Sequence, residues 1–307
     1  MTLRSTATST HRILAQPRAH AGDPPMPSNL AGEKVKPFRT RFLGIHLPML
    51  AIVAFALAPY AWMFITSITS TADMDRPSII VANPTIDHYT RLFTKVSFGQ
   101  NMLTSFLVAC GVVLVGLTLS ITAAYSFSRF RFFGRSYLMK QFLVVNMFPI
   151  VLLIIPLFII MRQFGLLDTY LGVIIAHSTF AIPFSTWMMT GYMDAIPQDL
   201  DEAAMIDGCT RLGTLFRVLF PLCTPGIIAT GIYLFITSWN EYLYAATLAG
   251  GDLKTITVAI QSLIGEYEIE WGLLTAGGFI GSLPATILFL IVQRRLVGGL
   301  TQGAVKG

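Results

Sequence analysis

Six apolar runs set the limits on what this chain can become. They lie at about 42–68, 101–126, 138–161, 170–193, 224–246 and 272–292, with polar links between them. A helix needs roughly 20 apolar residues to cross the hydrocarbon core of a bilayer. Inside that core each backbone N–H and C=O must find its partner within the protein, which helices do locally. The expected fold is therefore an all-α membrane protein with six transmembrane helices. Composition points the same way: 54% of residues are hydrophobic and 12% charged, with mean hydropathy +0.65, whereas a soluble domain carries about twice that share of charge.

Charge placement gives an orientation. Residues 1–41 are rich in Ser, Thr, Pro, Ala and Arg, without helical or strand periodicity, and read as a disordered cytoplasmic tail. No continuous apolar stretch follows a charged start there, so no cleaved signal peptide is expected. Lys34, Lys36, Arg39 and Arg41 precede the first span, and Arg129, Arg131 and Arg135 follow the second. With both termini inside, only Arg76, Arg91, Lys95, Arg162 and Lys254 of the 21 Lys and Arg fall outside. That bias matches the excess of basic residues on cytoplasmic loops. Residues 42–296 then form the membrane domain and 297–307 a cytoplasmic C-terminal tail. Pro48 and Pro59 are compatible with a span whose neighbours satisfy the freed carbonyls.

Several function classes are excluded. The net charge of +5 is spread over the ends of apolar runs, so it is no nucleic-acid patch. Cys110, Cys209 and Cys223 make no CxxC, metal or disulfide pattern. No nucleophile–base pair or metal spacing suggests an enzyme. The segment around Gly250 and Gly251 superficially suggests a phosphate loop, but the chain has no GKS or GKT, hence no Walker pattern.

The stretch 197–221, "PQDLDEAAMIDGCTRLGTLFRVLFP", is polar and lies between two spans on the inside. Asp199 reads as a helix cap, Asp201 and Glu202 favour the first turn, and Asp199 with Glu202 makes a variant capping box. Gly208 permits a left-handed turn. In the second helix Leu212, Leu215, Phe216 and Leu219 fall at i, i+3, i+4 and i+7, on one expected apolar face. Pro221 ends it. Such an amphipathic pair lies on lipid or docks in a protein groove. The acidic first helix disfavours an anionic lipid surface and favours the groove.

These residues resemble the EAA loop of ABC importer permeases, whose pattern is EAA, three residues, Gly, nine residues, then I-x-L-P. Glu202, Ala203, Ala204 and Gly208 match; Val218 and Phe220 stand for Ile and Leu before Pro221. The ending "GLTQGAVKG" resembles that of carbohydrate permeases, closest to the second (G-type) permease of maltose-type importers. "NPTIDHYTRLF", "SWNEYLYA" and "GLLTAGGFIGSLP" extend the similarity over most of 45–307.

The resemblance implies a type I ABC importer permease in a bacterial or archaeal cytoplasmic membrane. It would import a sugar, oligosaccharide or polyol with three kinds of partner: a second permease in a heterodimer, paired cytoplasmic ATPase subunits and an extracytoplasmic solute-binding protein. The chain itself would hold no cofactor; ATP and Mg would sit on the ATPase. Glu202, Ala203, Ala204, Gly208, Phe216 and Pro221 would couple to the ATPase, with Glu202 pairing an ATPase arginine. A plain cap of its own helix is the alternative for Glu202. Gly303, Ala304, Val305 and Lys306 would reach the ATPase interface. Gly250, Gly251, Asp252 and Lys254 would form a free loop entering the binding protein's cleft.

Polar groups in spans usually face a bundle interior or a water-filled path. Asn146, His177, Asn240 and Glu241 are such groups. Tyr233, Trp239, Asn240 and Glu241 are candidates for the translocation path, Glu241 near the outer end of its span as a structural or gating element. Two other readings stay open: an ABC permease for a non-sugar solute, and a proton-coupled carrier with Glu241 and His177 as relay. The carrier would leave the EAA loop without a task, and carriers often show a repeat within the chain, which is not evident here.

Overall fold

A computed structural model describes residues 42–75, 78–251, 253–265 and 269–303. The chain divides into two units, residues 1–55 and 56–307. In the first, a π-helical turn, Phe42–His46, leads into α1, Leu47–Ile68. Its apolar side chains, Leu50 and Ile52 among them, are exposed, as suits a helix surrounded by acyl chains.

The second unit holds the rest of α1 and then α2 (Asp87–Lys95), α3 (Phe98–Arg129), α4 (Arg135–Met147), α5 (Ile150–Gln163), α6 (Tyr170–Asp194), α7 (Asp199–Ile206) and α8 (Arg211–Thr214). A π-helical turn, Leu215–Leu219, leads to α9 (Phe220–Leu222), α10 (Thr224–Trp239), α11 (Leu243–Leu248), α12 (Ile256–Gln261) and α13 (Trp271–Gly303). Among the described residues the only extended pairings are two isolated bridges, Thr69 to Pro84 and Ile264 to Ile269. This is an all-α, multi-pass membrane fold.

Among the described residues four helices are long and apolar enough to cross a membrane, and two bent pairs raise the number to six if each counts as one span. The expected third span, about 138–161, is not one straight helix: α4 and α5 meet at 100°. Phe148, just before Pro149, is extended with ψ 133°, the conformation that proline imposes on its predecessor. The other bend, 83°, separates Arg211–Leu222 from Thr224–Trp239, and Pro225 starts the second arm. The expected fifth span, 224–246, is likewise interrupted. Its α10 has 16 residues, about 24 Å of helix, and the chain breaks at Asn240–Tyr242 before α11. α13 continues to Gly303, so the tail expected from 297 starts as helix; residues 1–41 and 304–307 lie outside the described residues.

α3 is the centre. Its buried stripe runs through Val108, Ala109, Val112, Gly116, Ser120 and Ala124, against α6 and α10. Small residues let helix backbones approach in membranes, where apolar burial itself discriminates little. A Cβ on Gly116 would stand 2.7 Å from the Leu234 side chain, so glycine sets the α3–α10 spacing. Leu92, Phe98, Phe235, Trp239 and Ile256 form a further cluster toward the other end.

Candidate functional site

The loop 197–221 folds as two helical pieces around a glycine. Gly208 has φ +87°, the left-handed region that side-chain-bearing residues avoid. The second piece is capped by Thr210, whose hydroxyl accepts from the Gly213 N–H at 3.1 Å. The expected caps of the first piece do not form. Asp199 is already inside the first turn, the N-cap position falls to Gln198, and no side chain bonds there. The expected single apolar face is also split. Leu215 and Leu219 are fully buried, whereas Leu212 and Phe216 are 64% and 57% exposed. The reason is the π-helical turn, whose wider winding breaks the 3.6-residue repeat.

The carboxylates divide in the same way. Asp201 is buried and ion-paired with the Arg129 guanidinium at the end of α3. Arg129 is the hub of that end. Its Nη2 donates to the Ile196 carbonyl at 3.1 Å and its Nη1 to Ser128 Oγ at 3.0 Å. Ser128 in turn donates to Asp194 on α6 at 2.6 Å. Tyr125 OH donates to the Arg211 carbonyl at 3.1 Å, and the Arg211 guanidinium lies 4.9 Å above the Phe130 ring. Glu202, next to Asp201, is exposed and its side chain has no hydrogen bond or ion pair among the described residues. Around it Ala203, Met205 and Ile206 are exposed, while Ala204 is buried. A cleft of about 170 Å³ between Tyr125, Arg129 and Glu202 borders this surface.

Sequence reasoning took Arg129 only as a topological charge. Its position flush with the end of a span, before a loop rich in carboxylates, is the one signal that separates it from Arg131 and Arg135. Pro221 lies within α9 and does not end the helical segment; the break comes at Cys223.

The second polar group lies inside the bundle. His177 Nδ1 is 2.9 Å from Ser238 Oγ, and its Nε2 is 3.0 Å from Glu241. Both carboxylate oxygens of Glu241 accept backbone N–H groups, Tyr244 at 2.9 Å and Ala245 at 3.1 Å. These are the orphan donors of the α11 N-terminus. Thr257 Oγ1 donates to the Glu241 carbonyl at 2.7 Å, which ties α12 to the same break. The pair that a proton-coupled carrier would use as a relay is thus together in space, but its carboxylate is occupied as a helix cap. Of the other path candidates, Trp239 is buried, stacked 5.6 Å from Phe235 and bonded to the Gly281 carbonyl at 3.0 Å. It packs in the core cluster with Leu92, Phe98 and Ile256. Tyr233 is half-buried against Phe184, and exposed Asn240 bonds its own helix at Ile236. Asn146 likewise bonds back to Phe142 at 3.0 Å.

The loop after α11 is less free than its glycines suggest. The Gly250 N–H donates to Asp168 Oδ1 at 2.5 Å, and the Asp168 N–H donates to the Leu248 carbonyl at 2.9 Å. Gly251, with φ +58°, turns the chain and Lys254 is exposed; Asp252 lies outside the described residues. Gly303 is the last described residue of α13, and Ala304, Val305 and Lys306 lie beyond it. No group of three or more His, Cys, Asp or Glu able to hold a metal ion occurs among the described residues.

Residues 116–302, which contain both polar groups, match the family described as the binding-protein-dependent transport system inner membrane component. The chain is 35% identical to the sulfoquinovosyl glycerol transport system permease protein of Agrobacterium fabrum, over 82% of this chain and 89% of that one. It is 34% identical to the trehalose transport system permease protein of Mycobacterium tuberculosis, over 83% and 94%. A solved bacterial ABC transporter involved in the import of the acidic polysaccharide alginate shares the fold, with TM-score 0.70 and 23% identity, over 84% of this chain and 97% of that chain. The chain belongs to this family and is an ABC importer permease of the carbohydrate-transport group.

Proposed function

We propose that this chain moves a sugar, oligosaccharide or polyol into the cytoplasm and that α7–α9 are the element through which ATP hydrolysis drives it. The partners are a second permease, a pair of cytoplasmic ATPase subunits that hold ATP and Mg, and an extracytoplasmic solute-binding protein. Both termini face the cytoplasm. The relatives named for sulfoquinovosyl glycerol and trehalose support the carbohydrate cargo.

One observation carries the coupling role: of two adjacent carboxylates, Asp201 is buried in an ion pair and Glu202 is exposed without one. Asp201 bolts the loop to α3, and Glu202 is presented outward amid exposed apolar side chains. A partner that grips Glu202 therefore pulls on the end of a transmembrane helix. The exposed rim of Met205, Ile206 and Phe216 suits a groove in another protein better than water.

The test is ATP-driven uptake of labelled sugars by the complete complex in liposomes, with wild type and Glu202→Ala. Expected are lost uptake and either weakened ATPase assembly or ATP hydrolysis without transport. Normal uptake would make the Glu202 contact dispensable. Uptake that no sugar competes with, but that still needs ATP, would favour the non-sugar reading.

A further inference from the structure

A large groove among the described residues has no part in the coupling role. It measures about 1180 Å³ and lies between the first turns of α4 and the last turns of α6. Arg135 and Lys140 stand along it. The side chain of neither has a hydrogen-bond or ion-pair partner among the described residues. Gly134, in the left-handed region at φ +82°, is the N-cap of α4 and offers no side chain to its first amides. An uncapped helix start and Arg135 lie at one end of the groove, Lys140 stands about 7.5 Å further along α4, and all three favour an anion. The single carboxylate in the lining, Asp194, already accepts the Ser128 hydroxyl.

Apolar and aromatic side chains share the lining with these cations. Trp187, Met188 and Met139 line it together with Tyr137 and Tyr192. Trp187 precedes the end of α6 by seven residues, about 10 Å along the axis. The polar layer of a leaflet is about 5–8 Å deep. The groove therefore begins at headgroup level and ends among acyl chains, with Trp and Tyr where interfacial aromatic residues collect. We infer that it is a binding site for an anionic phospholipid of the cytoplasmic leaflet, with the phosphate at Arg135 and Lys140 and a tail beside Trp187. Basic pockets between transmembrane helices on that side take anionic headgroups.

Gly191 supplies a sharp test. It lines the groove, and an added Cβ there meets nothing within 4 Å. Gly191→Phe should intrude on the groove from a position where the Cβ itself is accommodated. The full-length chain, assembled with its partner subunits, is reconstituted in phosphatidylcholine vesicles, and brominated phosphatidylglycerol is titrated in. Quenching of Trp187 is read as the difference from Trp187→Phe. Wild type should quench at much lower mole fractions of brominated phosphatidylglycerol than of brominated phosphatidylcholine. Each cation near an anionic surface is worth about a fivefold change in binding, so Arg135→Gln with Lys140→Gln should shift the titration about 25-fold. Gly191→Phe should abolish the selectivity.

Arg131→Gln, on the same loop but outside the groove, should leave the titration in place. Equal quenching by the two lipids would overturn the proposal, as would an Arg131 effect as large as that of Arg135, which would mark a diffuse field. Loss of the ATPase subunits from the double variant with unchanged quenching would make the groove a protein-docking site. If Gly191→Phe fails to assemble, the charge variants decide the matter, since their side chains are solvent-accessible.

Discussion

Two polar clusters hang on the same helix, α6, and they use their charges differently. Asp194 at its end joins Ser128, Arg129 and Asp201. His177, seventeen residues earlier and so about 26 Å along the axis, joins Ser238 and Glu241. In the first, side chain pairs with side chain across α3, α6 and α7, and the product is a joint between helices. In the second, the carboxylate serves backbone amides at a break, and the product is a local cap. The difference teaches that an acid at a break between membrane helices need not mark a pathway. A broken helix in a membrane must find acceptors for its new N-terminus, and Glu241 is placed to be one.

The comparison can be broken by substitution, starting with the joint. Removing one partner of a buried pair costs about 3–5 kcal/mol, because the other charge stays behind. Arg129→Ala should therefore lower thermal stability in detergent more than a change at Glu241, Gly208 or Glu202. Exchanging the two groups, Arg129→Asp with Asp201→Arg, should restore part of it. A variant as stable as wild type would show that the pair is not formed in the assembled protein.

Glu241→Ala comes next. It leaves two buried donors without acceptors, at about 1–3 kcal/mol. Amide exchange should accelerate at Tyr244 and Ala245 while the amides of α7 keep their protection. Exchange rising along all of α6 instead would mean that the two clusters act as one unit. Gly208→Ala should cost about 1–2 kcal/mol, from φ alone, since no neighbour obstructs the new Cβ. Asn at the same position should cost less. The smallest stability effect belongs to Glu202→Gln, whose melting temperature should equal that of wild type while sugar uptake falls. A melting shift there would return Glu202 to the role of helix cap.

Much of this arrangement was legible in the residues. The apolar runs locate the helices because a bilayer needs a minimum apolar length, and Gly208 announces its turn because little else tolerates φ +87°. The bends were not legible. Pro149 breaks the chain, yet Pro59, Pro156, Pro183 and Pro284 all sit inside helices, so the residue type alone does not decide. The split of Leu215 from Phe216 escaped because periodicity arguments assume one winding, and five residues here adopt another. Arg129 escaped because its partner is distant in sequence, and three arginines in one short loop look alike until one is buried.

α3 has a mechanical consequence. It is 32 residues long, about 48 Å, well beyond the roughly 30 Å of hydrocarbon, and it contains no proline. A rod of that length is a lever whose ends travel farther than its middle. A tilt of about 10° around its midpoint carries the Arg129 end by about 4 Å, from length alone. Asp201 is fastened at that end, where a given angular motion yields its greatest displacement and the smallest force is needed to produce it.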